Sequence, residues 1–247
     1  MRYLIISDIH SNLEALEAVL KDAEGRYEAV LCLGDIVGYG PSPNECIERV
    51  RGLSSLSCVA GNHDWAAISK IGIEDFNPDA RAATIWTQKT LTTASSAYLH
   101  SLPEKIVLEE KITIAHGSPR YPIWEYILST LTALENFRHF ETPWCLVGHS
   151  HVPVIFAFRE SKPNFCDAFI PPENEPFFLD PDFRFIINPG SVGQPRDGDP
   201  RASYALLDSE KGVVELRRVA YPVEKTQAMM EKVGLPPRLI ARLSFGW

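Results

Sequence analysis

The chain has few cysteines, no excess of basic residues and no long hydrophobic run, and each shortage removes a class of protein. Its five cysteines, Cys32, Cys46, Cys58, Cys145 and Cys166, are an odd number without CxxC spacing, which argues against a disulfide framework and against a thiolate zinc site. Cys32, Cys58 and Cys145 lie inside apolar runs and read as small core residues. Lysine and arginine number 24 against 32 acidic residues, a formal net charge of -8, so a tight sequence-independent grip on a nucleic-acid backbone is disfavoured, although a local basic pocket stays open. The apolar run at the N-terminus, Tyr3 to Ile6, passes at once into Asp8 and His10 and is too short for a signal peptide or a membrane span. A cytoplasmic location is expected. No internal repeat and no low-complexity stretch is present.

What is present is 45% hydrophobic content, ample for a core, in a length that reads as one compact unit over residues 1–247. A single local grammar recurs along it. Tyr3 to Ser7, Ala29 to Leu33, Leu56 to Ala60, Ile112 to Ala115 and Trp144 to Val147 are short, continuous apolar runs, the pattern of strands buried on both faces. Between the first three, helical spacing of apolar residues follows Asn12 and Pro43, residues suited to a cap and to a first turn.

Residues 65–102 break the rhythm with two helices, one opening at Asn77-Pro78 and one over about Ser95 to His100, and read as a small cap beside the strand ends. A helix is expected over residues 129–139. Val152 to Phe158 and Phe183 to Ile187 are expected to pair, which would return Ser191 to the neighbourhood of His151. Residues 161–182 carry five prolines and are expected to be mostly irregular, placed away from the chemistry. Ser203 to Leu207 and Val213 to Val219 form a hairpin, followed by a helix over about Val223 to Val233 and a Pro-initiated tail over residues 235–247. The fold class expected is α/β, with two mixed β-sheets face to face and helices outside, a four-layer αββα sandwich with a small helical cap.

Seven residues stand at the ends of those strands: Asp8, His10, Asp35, Asn62, His116, His149 and His151. Taken singly, the aspartates and Asn62 fit turns or caps and the histidines fit a satisfied core. Taken together they offer carboxylate, imidazole and amide donors without thiolate, a set suited to manganese first, and also to iron, zinc, nickel or magnesium. Seven ligands exceed the needs of one tetrahedral ion and suffice for two divalent ions sharing a carboxylate. His100 and His139 fit no block and read as surface or structural.

The blocks Asp8-Ile9-His10, Gly34-Asp35, Gly61-Asn62-His63-Asp64, His116-Gly117 and Gly148-His149-Ser150-His151 resemble, in order and spacing, those of the calcineurin-like metallophosphoesterase superfamily. The run from Asn188 to Arg196 extends the resemblance to its small prokaryotic phosphoesterase branch. The resemblance implies that Asp8, His10, Asp35 and His151 hold one metal and that Asp35, Asn62, His116 and His149 hold the second, with Asp35 bridging. It implies His63 as the catalytic residue beside the substrate phosphate, and a reaction in which a metal-bridging hydroxide attacks phosphorus.

One departure narrows the substrate. Where protein phosphatases and dinucleoside polyphosphate hydrolases of the superfamily carry an Asp-Arg pair after the bridging aspartate, this chain reads Ile36-Val37-Gly38-Tyr39-Gly40. Phosphate contact then falls to Arg120 or Arg196, and Tyr39 can stack on a base or simply pack. Gly190-Ser191-Val192-Gly193 can present N–H groups to an anion or only turn the chain close to the metals. The expected function is hydrolysis of small phosphate esters of the phosphodiester or nucleotide type. The alternatives are a protein phosphatase or dinucleoside polyphosphate hydrolase, and a non-catalytic binding module on the same fold. The partner is a small phosphate-ester substrate, with no membrane and little scope for nucleic acid; assembly into a homo-oligomer is left open.

Overall fold

The structure, a computed structural model, describes residues 1–247. Strands are numbered in chain order. One sheet holds β1 (Arg2–Ile6), β2 (Ala29–Cys32), β3 (Leu56–Cys58), β9 (Phe177–Phe178), β11 (Ala202–Asp208) and β12 (Val213–Val219), in the order β3-β2-β1-β11-β12-β9. The other holds β4 (Lys105–Leu108), β5 (Ile112–Ala115), β6 (Trp144–Leu146), β7 (Pro153–Phe158), β8 (Cys166–Phe169) and β10 (Arg184–Pro189), in the order β4-β5-β6-β10-β7-β8. Both are mixed. β1, β2 and β3 run parallel, as do β5, β6 and β10, while the hairpin partners run against them.

The unbroken apolar runs follow from this layering. Successive side chains of β1 alternate between faces: Tyr3 and Ile5 enter the core between the sheets with Leu31, Ile114, Leu146 and Ile187, whereas Leu4 and Ile6 meet the helices outside. Those helices are α1 (Leu13–Asp22), capped by Asn12, α2 (Pro43–Arg51) and, next in space, α5 (Thr93–Ser101). On the far side, α6 (Thr130–Asn136) covers Cys145, Phe156, Phe158 and Ile186. The order of layers is therefore helix, sheet, sheet, helix. No helix is long and apolar enough to cross a membrane.

The helices α3 (Asn62–Ala67) and α4 (Pro78–Thr90) form the cap with α5. The cap does not stand alone. The final helices, α7 (Val223–Lys232) and α8 (Pro237–Arg242), pack Leu239, Ile240 and Leu243 against Phe76, Ala80 and Tyr39.

The stretch 161–182 is mostly irregular, as expected, but carries two short strands: β8 extends the second sheet beside β7, and β9 pairs with β12 on the first, so the segment crosses from one sheet edge to the other. Both strands are short edge strands, and Pro171, Pro172 and Pro176 fall between them where no ladder N–H is required. The segment also folds back toward the ligand-bearing end of the sheets, where Glu173 meets Arg201 and Arg218.

Candidate metal centre

Each parallel strand of the two sheets ends on the same side of the sandwich, and backbone hydrogen bonds lace the loops that follow. Asp8 N–H donates to Gly34 C=O (3.1 Å), His10 N–H to Asp35 C=O (3.0 Å) and Gly148 N–H to His116 C=O (2.7 Å). The expected pairing of β7 with β10 is present, with Pro153 opposite Pro189. It brings the next loop in. The N–H groups of Val192 and Gly193 donate to Ser7 and Asp8, and Ser191 Oγ donates to Asp8 C=O. Gly190 to Gly193 thus makes a close turn in which the Val192 and Gly193 amides are taken by the residues that follow β1 and the Gly190 amide by Asn188 Oδ1.

This lacing gathers all seven strand-end residues in one buried cluster. Two trios emerge, Asp8 with His10 and His151, and Asp35 with His116 and His149, each with its donor atoms within 4.8 Å of one another. Asp35 Oδ2 joins them, 3.6 Å from His10 Nε2 and 3.3 Å from His116 Nε2. Asn62 completes the second group with Oδ1 3.1 Å from His116 Nε2. Five of the seven hold left-handed backbone: Asp8 (φ 52°), His10 (49°), Asp35 (52°), His149 (67°) and His151 (61°). Side-chain-bearing residues adopt this region rarely, and its concentration at one cluster marks a functional constraint.

The chemistry of the donors tests whether cations fit. Every ligand histidine ties its outer ring nitrogen to a backbone carbonyl: His10 Nδ1 to Val37 (3.1 Å), His116 Nδ1 to Leu33 (2.8 Å), His149 Nε2 to Trp124 (3.2 Å) and His151 Nδ1 to Gln194 (2.5 Å). A carbonyl only accepts, so the proton sits on the outer nitrogen and the inner one turns a lone pair to the centre. There His10 Nε2 faces His151 Nε2 at 3.0 Å, and His116 Nε2 faces His149 Nδ1 at 3.2 Å.

The carboxylates are split the same way. Asp8 Oδ2 accepts from Ser7 Oγ (2.7 Å) and His149 N–H (3.0 Å), and Asp35 Oδ1 accepts from His63 N–H (2.8 Å). The other oxygens, Asp8 Oδ1 and Asp35 Oδ2, are buried without a hydrogen-bond partner. Buried carboxylate oxygens and opposed imidazole lone pairs are costly together unless a cation lies among them. The seven residues fit two divalent metals.

Electrostatics agrees. Burial opposes ionisation of Asp8 and Asp35, and the histidines around them, His151 first for Asp8 and His116 first for Asp35, overcome it and hold both carboxyls well below the usual range. Burial lowers His10 and His151, and brings His149 down to about 3. His116 is the exception: burial works to lower it, yet Asp35 pulls it up to about 9, so its Nε2 attracts a proton that a cation would have to displace to reach the lone pair. The centre thus recruits positive charge.

His63, just after Asn62, is buried and held by its surroundings. Its ring lies 4.4 Å from the Tyr39 ring, 4.9 Å from Phe76 and 5.0 Å from His10. Gly38 (φ +97°) makes room for it, since a Cβ there would lie 2.7 Å from His63 Nδ1. That nitrogen has no partner, and burial lowers His63 to about 4. Asp64 caps the turn, accepting from Gly61 N–H (2.9 Å) and Val37 N–H (3.1 Å); burial and then Asp35 push its carboxyl up to about 7.

The two arginines part company. Arg196 leaves the loop after β10, its Nη2 3.0 Å from Gln194 Oε1 and 3.5 Å from the Tyr39 hydroxyl. Arg120 is instead clamped by Glu125, which also accepts from Ser118 (2.6 Å) and Asn136 (2.8 Å). Arg120, one of the two arginines expected to meet phosphate, is thus engaged by an ion pair on the loop that carries Trp124 C=O to His149. Beyond Tyr39 and Arg196 opens a cavity of about 680 Å³, lined also by Tyr126 and by α8 and the tail. Sequence reasoning missed Tyr126, whose ring stacks on His149 at 3.8 Å, and it missed Arg242. Only the packing of the tail on the cap exposes that role.

Known proteins resemble this chain in sequence and fold. The family model of the calcineurin-like phosphoesterase superfamily domain matches residues 1–212. An uncharacterized protein of Methanocaldococcus jannaschii is 40% identical over 247 residues, 98% of this chain and 97% of that protein. The crystal structure of a metallophosphoesterase from Sphaerobacter thermophilus is 49% identical, with 100% of this chain and 99% of that one covered and a TM-score of 0.89. A hypothetical protein of Pyrococcus horikoshii OT3 shares the fold, with 23% identity, coverage of 100% and 98%, and a TM-score of 0.79.

Proposed function

Because the chain belongs to the calcineurin-like phosphoesterase superfamily, we propose that it hydrolyses small phosphate esters, of the phosphodiester or nucleotide type, at a centre of two divalent metals. Manganese is the metal proposed. The observation that carries this reading is the pair of partnerless carboxylate oxygens, Asp8 Oδ1 and Asp35 Oδ2, set among inward-facing imidazole nitrogens. Asp8, His10 and His151 would hold one ion, Asn62, His116 and His149 the other, with Asp35 serving both.

A metal pair of this kind supplies positive charge to phosphate oxygens and lowers the pKa of a water nucleophile. The chain's own residues do the rest. His63 is fixed by its backbone bond to Asp35 and by the Tyr39 and Phe76 rings, and its Nδ1 is turned to Gly38, which leaves Nε2 to meet the substrate. Burial keeps this ring neutral at pH 7, and the negative charge of an arriving phosphate favours a proton on it, so it can donate to the phosphate or protonate the leaving oxygen. Arg196, with a planar fork of donors and no carboxylate partner, is suited to a phosphate oxygen. Tyr39 forms the wall between that guanidinium and His63.

Hydrolysis of bis-p-nitrophenyl phosphate and p-nitrophenyl phosphate tests the reading. Activity should vanish after chelation and return with manganese. If neither ester turns over under any divalent metal, the protein is a binding module and the reading is wrong.

A further inference from the structure

The cavity next to the metal centre has a character of its own. In a chain with an acidic excess, its lining contains three arginines, Arg196, Arg238 and Arg242, against one carboxylate, Asp79. None of the three is paired with a carboxylate side chain, and Arg242 Nε donates to the Trp247 backbone oxygen, whereas nearby Arg201, Arg217 and Arg218 are each matched to carboxylates. Arg196 Nε is buried and has no partner. Arg196 and Arg242 line the same cavity, and Arg242 is brought down to about 10 by burial and then by the like charge of Arg196. With Asp79 as the one carboxylate of the lining, the cluster of arginines carries an excess of positive charge that a bound anion would offset.

The wall is built and not a loose end. Gly198 N–H donates to Gly246 C=O (2.9 Å), and Gln227 Nε2 reaches Ile240 C=O (2.8 Å) and Ser244 Oγ (2.9 Å). Flat apolar surface rims the same cavity: Tyr126 is 45% exposed, Phe245 52% and Trp247 64%, and the last two stack at 4.8 Å with rings inclined by 23°. Exposed aromatic faces beside guanidiniums without carboxylate side-chain partners suit a nucleobase and a phosphate. The volume, about 680 Å³, is that of a small-molecule site.

We propose that this cavity binds the non-reacting part of the substrate, and that the substrate is a nucleotide carrying a second phosphate besides the one that is cleaved. The inference rests on the phosphoesterase reading. Arg196 and Arg242 grip the second phosphate, and the tail rings face the base. Hydrolysis breaks one ester P–O bond; water delivers its oxygen to phosphorus and a proton to the leaving alcohol oxygen, and the second phosphate stays attached to the nucleoside.

The experiment compares kcat/KM of the manganese-loaded protein for adenosine 3′,5′-bisphosphate, adenosine 5′-monophosphate and p-nitrophenyl phosphate. The bisphosphate should be preferred over the monophosphate by about tenfold or more, and Arg242→Gln should cut its kcat/KM about tenfold more than that of p-nitrophenyl phosphate. Arg242→Lys, which keeps charge without the planar fork, should fall between. Arg138→Gln, which removes a surface pair with Glu135 just after α6, should match the unmodified protein. Equal losses on all three substrates, or no preference for the bisphosphate, overturn the proposal and leave the phosphoesterase reading standing. If no ester turns over, calorimetry with the metal-free protein decides: tighter binding of the bisphosphate than of the monophosphate, weakened by Arg242→Gln, supports the cavity, and equal or absent binding overturns it.

Discussion

Asp35→Ala should lower hydrolysis of bis-p-nitrophenyl phosphate by roughly 10⁴-fold or more, equivalent to about 5.5 kcal/mol of transition-state stabilisation. Asp35 is the one side chain shared by both halves of the centre. Its Oδ2 lies between His10 and His116, and its Oδ1 anchors the backbone of His63, so a single truncation disturbs both cation sites and the neighbouring ring. Metal content measured on the purified variant should fall with the rate. Stability separates this from misfolding. Manganese should raise the melting temperature of the unmodified protein by binding the folded state, and should have little effect on the variant. The variant without metal should still unfold cooperatively but melt below the unmodified protein without metal, since the histidines hold Asp35 ionised below its usual range and its Oδ1 accepts from His63 N–H. A variant that keeps full activity would remove Asp35 from the centre.

His63→Asn should slow catalysis by about 100- to 10,000-fold, the range for loss of a positioned proton donor, with metal content unaltered. The ring of His63 touches His10 and Tyr39, and only its backbone N–H bonds to Asp35. The substitution keeps that N–H while deleting the imidazole. Loss of metal together with rate would move His63 into the ligand set. The residual activity should be greatest on p-nitrophenyl esters, whose leaving group departs without a proton, and least on alkyl esters. That contrast distinguishes a proton donor from a residue that only shapes the pocket.

The seven clustered residues were legible in the sequence because their signal is local. Each of Asp8, Asp35, Asn62, His116 and His149 directly follows an apolar run short enough to be a strand, and parallel strands must end on one side of a sheet. The strand alternation that sends Tyr3 and Ile5 to one face and Leu4 and Ile6 to the other likewise required two layers around β1. What escaped the sequence depends on distant partners. Cys166 to Phe169 and Phe177-Phe178 are too short and too exposed to signal strands; they become strands only because the edges of two different sheets stand within reach. Arg120 and Arg196 look alike as loop arginines that each follow a proline, and only the fold gives Glu125 to the first and leaves the second without a carboxylate. Arg242 and Trp247 lie in a tail whose composition says nothing of a cavity, and they line one because Leu239, Ile240 and Leu243 dock that tail on the cap.

Crystals grown with manganese and measured at an anomalous wavelength give the most direct test of a dinuclear centre. The expected result is two peaks about 3.5–4 Å apart, one against Asp8, His10 and His151 and the other against Asn62, His116 and His149, with the Asp35 carboxylate between them. A single peak, or none at these side chains after soaking with manganese, zinc and iron in turn, would contradict it.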